Sequence, residues 1–170
     1  MTVVAARVYR GVTTVVADSA LCDEEFIQGG HRKIWKLNPN LIVGFSGDWG
    51  QICRARQSLQ SRRRGLLSTP LRGLGSIDEF IFSSMVPIIP ALGDGEESDL
   101  QLLVAVAGTL WSLGPLGEYS RYTTTYAAIG SGAPYAWGAL AMGASPTKAV
   151  RVAIQFSPAC RGPIRQEVIQ

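Results

Sequence analysis

The chain has 170 residues, 46 % of them hydrophobic and 17 % charged, with a net charge of +3. That length fits a single domain over residues 1–170 with a sizeable core. The small charge, with no patterned basic patch, argues against a nucleic-acid partner. The three cysteines, Cys22, Cys53 and Cys160, are odd in number and lack CxxC spacing, which argues against a disulfide framework or a zinc site and for buried, reduced thiols.

The first two strands run Val3 to Val8 and Val12 to Ala17, both rich in β-branched residues. Between them Tyr9-Arg10-Gly11 suits a three-residue hairpin loop with Gly11 left-handed. That loop places Val8 opposite Val12, Ala6 opposite Thr14, Val4 opposite Val16 and Thr2 opposite Asp18, all on one face. Val3, Ala5, Val15 and Ala17 fall on the other. Both faces are largely apolar, so this hairpin belongs to a sheet covered on both sides.

A strand is expected around Ile34 to Leu37, then a turn at Asn38-Pro39-Asn40, then a strand LIVGFS from Leu41. GDWGQICRARQSLQ reads as a helix, with Asp48 near its start and Ile52, Ala55 and Leu59 at spacings of three and four. The Arg62-Arg63-Arg64 run and GLLSTPLRGLGS read as a solvated helix end and loop. SIDEFIFSSMVPIIPAL gives a second helix, with Ser76 as cap, Glu79 three residues on, and Pro87 and Pro90 as terminators. After the acidic turn GDGEESD, LQLLVAVAG and TLWSL form a buried hairpin. The apolar stretch across that hairpin is too short to span a bilayer and is broken by Gly108. GPLGE is a turn and TTTYAAIG another strand. A helix from Ser131 to about Met142 follows, then one with Ser145 as N-cap and Pro146 as first residue. A last strand is expected around Ile164 to Val168. Strands, helices, strands and helices in this order give an α+β chain: two packed antiparallel sheets, with a helix pair for each outer face.

Four stretches carry chemistry. If Met1 is removed, Thr2 holds a hydroxyl and a free amine whose ordinary pKa of about 7.7–8.0 suits it to act as base. Asp18 ends its strand beside Thr2 in the register above. Lys33, in GGHRKIWKL, brings an ammonium that lowers the hydroxyl pKa when held by that carboxylate. In IGSGAPY, Ser131 sits between two glycines at a helix start, where an ordinary N-cap also stands. His31, the lone histidine, is either an exposed strand residue with the parity of Lys33 or the border of a substrate groove. A hydrolase built on His31 with a serine and an aspartate lacks the GxSxG context.

In their order and spacing, TVVAARVYRG, VVADSA, KIWKL, IVGFSGD, AIGSGAPYAWGAL and AVRVAIQ resemble the proteasome β-subunit family of N-terminal nucleophile hydrolases. The likeness runs over nearly the whole chain and is nearest to the bacterial ring protease subunit that works with an ATP-driven unfoldase. It implies a four-layer αββα sandwich and a threonine peptidase acting on peptides or unfolded proteins inside a homo-oligomeric ring or stacked rings. It implies no cofactor and no metal. Thr2 is then nucleophile and base, Asp18 and Lys33 its charged pair, Ser131 the partner of its amine, and the Gly44 N–H the oxyanion donor. Where many members carry an acid and then a serine after the last helix, this chain has Ser157 and Cys160. The apolar composition fits ring interfaces, and the start lacks a signal peptide, so a soluble cytoplasmic location is expected. Two other readings share these residues: a ring subunit silent because it keeps Met1, and an amidase of the same class that acts on small amides without a chamber.

Overall fold

The computed structural model describes residues 2–22, 27–28, 30–62, 74–88 and 99–170. Met1, Arg63, Arg64, Pro90 and most of the GDGEESD turn lie outside the described residues, and with them the sequence expectations placed there. Strands β1 (Val4–Tyr9), β2 (Val12–Ala17), β10 (Tyr126–Ile129) and β11 (Arg165–Ile169) form a four-stranded sheet in the order β10-β1-β2-β11. Strands β5 (Ile34–Asn38), β6 (Leu41–Ser46), β7 (Gln101–Val106), β8 (Thr109–Leu113) and β9 (Tyr119–Arg121) form a five-stranded sheet in that order. The short pair β3 (Leu21–Cys22) and β4 (Ile27–Gln28) stands apart.

Alternation along the strands sorts the core into three layers. Val4, Ala6, Val15 and Ala17 meet Ile34, Ile42, Leu103 and Ala105 between the sheets. Leu41, Val43 and Phe45 turn outward under helices α1 (Trp49–Ser61) and α2 (Leu74–Phe80). Val3, Ala5 and Val16 turn outward on the other side, under α3 (Ala133–Ala141) and α4 (Pro146–Phe156). The architecture is therefore α+β, a four-layer αββα sandwich of two antiparallel sheets. Each apolar face of each sheet is covered, which explains why neither face of the first hairpin is polar.

The register of that hairpin differs from the sequence expectation by one residue. Arg10 and Gly11 both have positive φ, 49° and 79°, so the loop is a two-residue turn closed by Tyr9 opposite Val12. The right-handed twist of paired strands favours such a turn, and it overrides the usual reluctance of arginine to adopt that conformation. Val4 consequently pairs with Ala17 and Ala6 with Val15. A one-residue slip exchanges the faces: Val15 and Ala17, not Thr14 and Val16, join Val4 in the inter-sheet layer, and Asp18 comes level with Val3 rather than Thr2. Ala107 and Gly108, at φ 46° and 73°, repeat the same turn between β7 and β8.

Asp48 caps α1 by accepting from Gln51 N–H at 2.9 Å, and Ser145 caps α4 by accepting from Lys148 N–H at 3.3 Å, both as the sequence indicates. Ser76 does not cap: α2 begins at Leu74 and encloses it, and a π turn (Ile81–Met85) and a 3-10 turn (Val86–Ile88) continue the helix past Phe80. Ile77, Phe80, Ile81 and Met85 are all buried, so burial of that apolar face, not the capping box, sets where this element runs. Of the thiols, Cys160 is buried and Cys53 is exposed on α1. No helix among the described residues is long and apolar enough to cross a membrane.

Candidate active site

The start of β1, the end of β2, the segment entering β5 and the β10–α3 turn converge on Thr2. Thr2, Asp18 and Lys33 are 1 %, 0 % and 2 % exposed, and three such polar residues together in a core need a dense set of partners. Asp18 has one. Its Oδ1 accepts from Val3 N–H at 2.9 Å and from Lys33 Nζ at 3.0 Å, and its Oδ2 accepts from Ala20 N–H at 3.1 Å and Arg161 N–H at 3.2 Å. The corrected register is what makes this bond set available: level with Val3, the aspartate caps the peptide next to Thr2 and clips the Cys160–Arg161 turn to the same point. Ser19 reinforces the clip, donating from its hydroxyl to Pro163 C=O at 2.5 Å and from its N–H to Arg161 C=O at 3.0 Å.

Thr2 is held by its backbone. Its nitrogen donates to Ser131 Oγ at 3.1 Å, and its carbonyl accepts from Gly132 N–H at 3.0 Å and from the Ser131 hydroxyl at 3.4 Å. Ser131 does not cap α3, whose N-cap is Gly132; its hydroxyl is committed to Thr2. Two glycines make this approach feasible. At Gly130, φ +91°, a Cβ would stand 2.4 Å from Thr2 C=O and 2.8 Å from Ser46 Oγ. At Gly132 a Cβ would stand 2.6 Å from Cys160 Sγ. Gly130→Ala should therefore lose stability by about 1–3 kcal/mol from backbone strain alone, read as a lower midpoint in denaturant unfolding with the slope unchanged.

The other sequence candidates fall as follows. Gly44 lies inside β6 between Ile34 and Leu103, and a Cβ there would meet Val4 Cγ1 at 2.6 Å. Phe45 N–H donates to Lys33 C=O, and strand alternation turns the Gly44 N–H toward β7. What the geometry displays at Gly44 is close packing of β1 on β6, and its oxyanion role rests on the resemblance alone. Ser157 closes α4, donating from its N–H to Ala153 C=O and accepting from Cys160 N–H. Cys160 packs behind Gly132. His31 precedes β5 and has no strand parity; its N–H donates to Ser19 C=O, and its ring meets Trp49 edge-on at 4.7 Å. Ser46, Ser19 and the Arg161 N–H join the site without having been singled out. Ser46 was legible, standing two residues past Gly44 on the same face, whereas the Arg161 contact depends on how the chain returns after α4.

No family model matches the sequence, and no curated protein matches it. Solved structures match along the whole chain. HslV from Trypanosoma brucei superposes with a TM-score of 0.75 at 15 % identity, covering 99 % of this chain and 99 % of that one. BPH from Thiobacillus denitrificans in complex with epoxomicin gives 0.78 at 19 % identity, covering 99 % and 98 %. A second structure of BPH gives 0.72 at 16 % identity, covering 99 % and 97 %. The chain thus shares the fold of HslV and BPH end to end at low sequence identity.

Proposed function

We propose that this chain, with the fold of proteasome-like N-terminal nucleophile hydrolases, is a threonine peptidase whose nucleophile is Thr2 after loss of Met1. The observation that carries this reading is the way the fold seats Thr2. Ser131 holds its nitrogen, and a fully buried Asp18–Lys33 ion pair is anchored to the next peptide. A buried ion pair is a weak source of stability, and in this reading its ammonium has a chemical use, facing the Thr2 hydroxyl.

In the reaction, the freed Thr2 amine takes the hydroxyl proton as Oγ attacks a peptide carbonyl, and it returns that proton to the departing nitrogen. The resulting ester is hydrolysed by water, with the amine again as base. Lys33 lowers the hydroxyl pKa by its charge, Asp18 fixes the ammonium, and Ser131 orients the amine. The reading includes assembly into a homo-oligomeric ring that encloses these sites, with an ATP-driven unfoldase feeding it unfolded protein.

Epoxomicin, present in the BPH complex, is the direct probe: a site of this kind should take it up once Thr2 is freed of Met1. Intact mass should show loss of Met1 and one added epoxomicin on the Thr2 peptide. A chain that keeps Met1 after expression in its own host, and takes up no epoxomicin, overturns the reading. Native mass spectrometry should give a closed ring; a monomer that still hydrolyses short amides would instead fit an amidase.

A further inference from the structure

We infer that the cavity beside the Gly130–Pro134 turn receives the part of the substrate after the scissile bond, with Glu118 selecting a basic side chain there. This rests on the peptidase reading above. The cavity holds about 580 Å³ and lies where the edges of the two sheets face one another. Ala128, Ile129 and Gly130 of the β10 edge form one wall, and Ser112, Leu113 and Tyr119 of β8 and β9 form the other.

Its position relative to Thr2 follows from three contacts. Gly130, Ala133 and Pro134, which line it, flank the Ser131 that holds the Thr2 nitrogen. Gly130 sits directly on the Thr2 carbonyl. Gln101, also in the lining, pairs across the sheet with Ser46, whose hydroxyl abuts the same glycine. The amine that accepts the hydroxyl proton must hand it to the leaving nitrogen. The leaving segment therefore departs on the side of the amine, which is the side of this turn and its cavity.

The chemistry of the lining sets the preference. Glu118 is its only charged residue among the described residues. One oxygen, Oε2, accepts from Leu116 N–H at 2.9 Å, and Oε1 lies over Gly114, itself part of the lining. Among the described residues Glu118 forms no ion pair. Gln101, Ser112 and Tyr122 add neutral polar groups, and burial pushes the Tyr122 phenol up against a partial offset from Ser112, so it stays protonated at neutral pH. Tyr119, Ala133 and Pro134, which stay accessible while Leu113 and Ile129 are buried, supply apolar surface for the methylene stem of a lysine or arginine, whose head then reaches the carboxylate.

The test uses internally quenched peptides identical except for lysine, leucine or glutamate after the cleaved bond, with the assembled, Met1-free protein. The Lys:Glu ratio of kcat/KM should be about five-fold or more in the native chain, the scale of a partly exposed charge pair. In Glu118→Gln, which keeps an acceptor for Leu116 N–H, the ratio should fall towards one, and in Glu118→Arg it should invert. Ratios that are equal in the native chain and Glu118→Gln, with cleavage intact, overturn the inference and leave the peptidase reading standing. Failure of the Met1-free native protein to cleave any of these peptides overturns both.

Discussion

Thr2→Ala should abolish peptide cleavage while leaving the fold and the assembly in place. Substitution removes the attacking oxygen but keeps the amine, and when nucleophile and base act as a unit the loss is on the order of 10⁶-fold in kcat. The structure explains why folding should survive. The described hydrogen bonds from Thr2 to Ser131 and Gly132 use backbone atoms only, so alanine retains them. Truncating a side chain that is 1 % exposed removes one methyl and one hydroxyl, a cost of about 1–2 kcal/mol. The variant should thus elute and melt close to the native protein and give no product from peptides of any sequence. Thr2→Ser, with hydroxyl and amine both present, should keep measurable activity, and a chain that retains Met1 should be as inactive as Thr2→Ala. Cleavage at native rate by Thr2→Ala would remove Thr2 from the chemistry whatever the fold.

The layer plan was legible in the sequence because it rests on period. Leu41, Val43 and Phe45 alternate with Ile42, and Ile52, Ala55 and Leu59 recur at helical spacing; each pattern has one way to bury itself. The register of the first hairpin was not legible, because Tyr9-Arg10-Gly11 admits either a three-residue loop or a two-residue turn. The choice depends on a positive φ at Arg10 that its residue type does not advertise. That slip altered the route by which Asp18 reaches the site but not its membership, since Asp18 bonds to the peptide adjoining Thr2 in place of facing it. Lys33 pairs with Asp18, and Ser131 accepts from the Thr2 nitrogen. The Cys160–Arg161 turn is different: its N–H reaches Asp18 from 143 residues away, and only the path of the chain between α4 and β11 brings it there. Edge strand β9 was missed for a related reason. Tyr119, Ser120 and Arg121 are all exposed, so no apolar alternation marks them.

Lys33→Ala should damage stability and catalysis at once, and the two losses separate in a double substitution. Removing the ammonium leaves the Asp18 carboxylate fully buried, with the Val3, Ala20 and Arg161 N–H groups as its only remaining partners among the described residues. Breaking a buried pair in this way costs about 3–5 kcal/mol, which chemical denaturation would register as a shifted midpoint. Activity should fall by about 10²–10³-fold, the scale of losing one preorganised stabilising group from an active site. Lys33→Met together with Asp18→Asn removes both charges while keeping most of the volume, so stability should return towards that of the native chain. Catalysis should not return, because no ammonium remains to lower the pKa of the hydroxyl. A double variant that is both stable and as active as the native chain would show that the pair only fills the core. A single variant that melts normally yet has lost all activity would place the whole importance of Lys33 in the chemistry. The expected pattern lies between these: folding needs the two charges balanced, and turnover needs the positive one present.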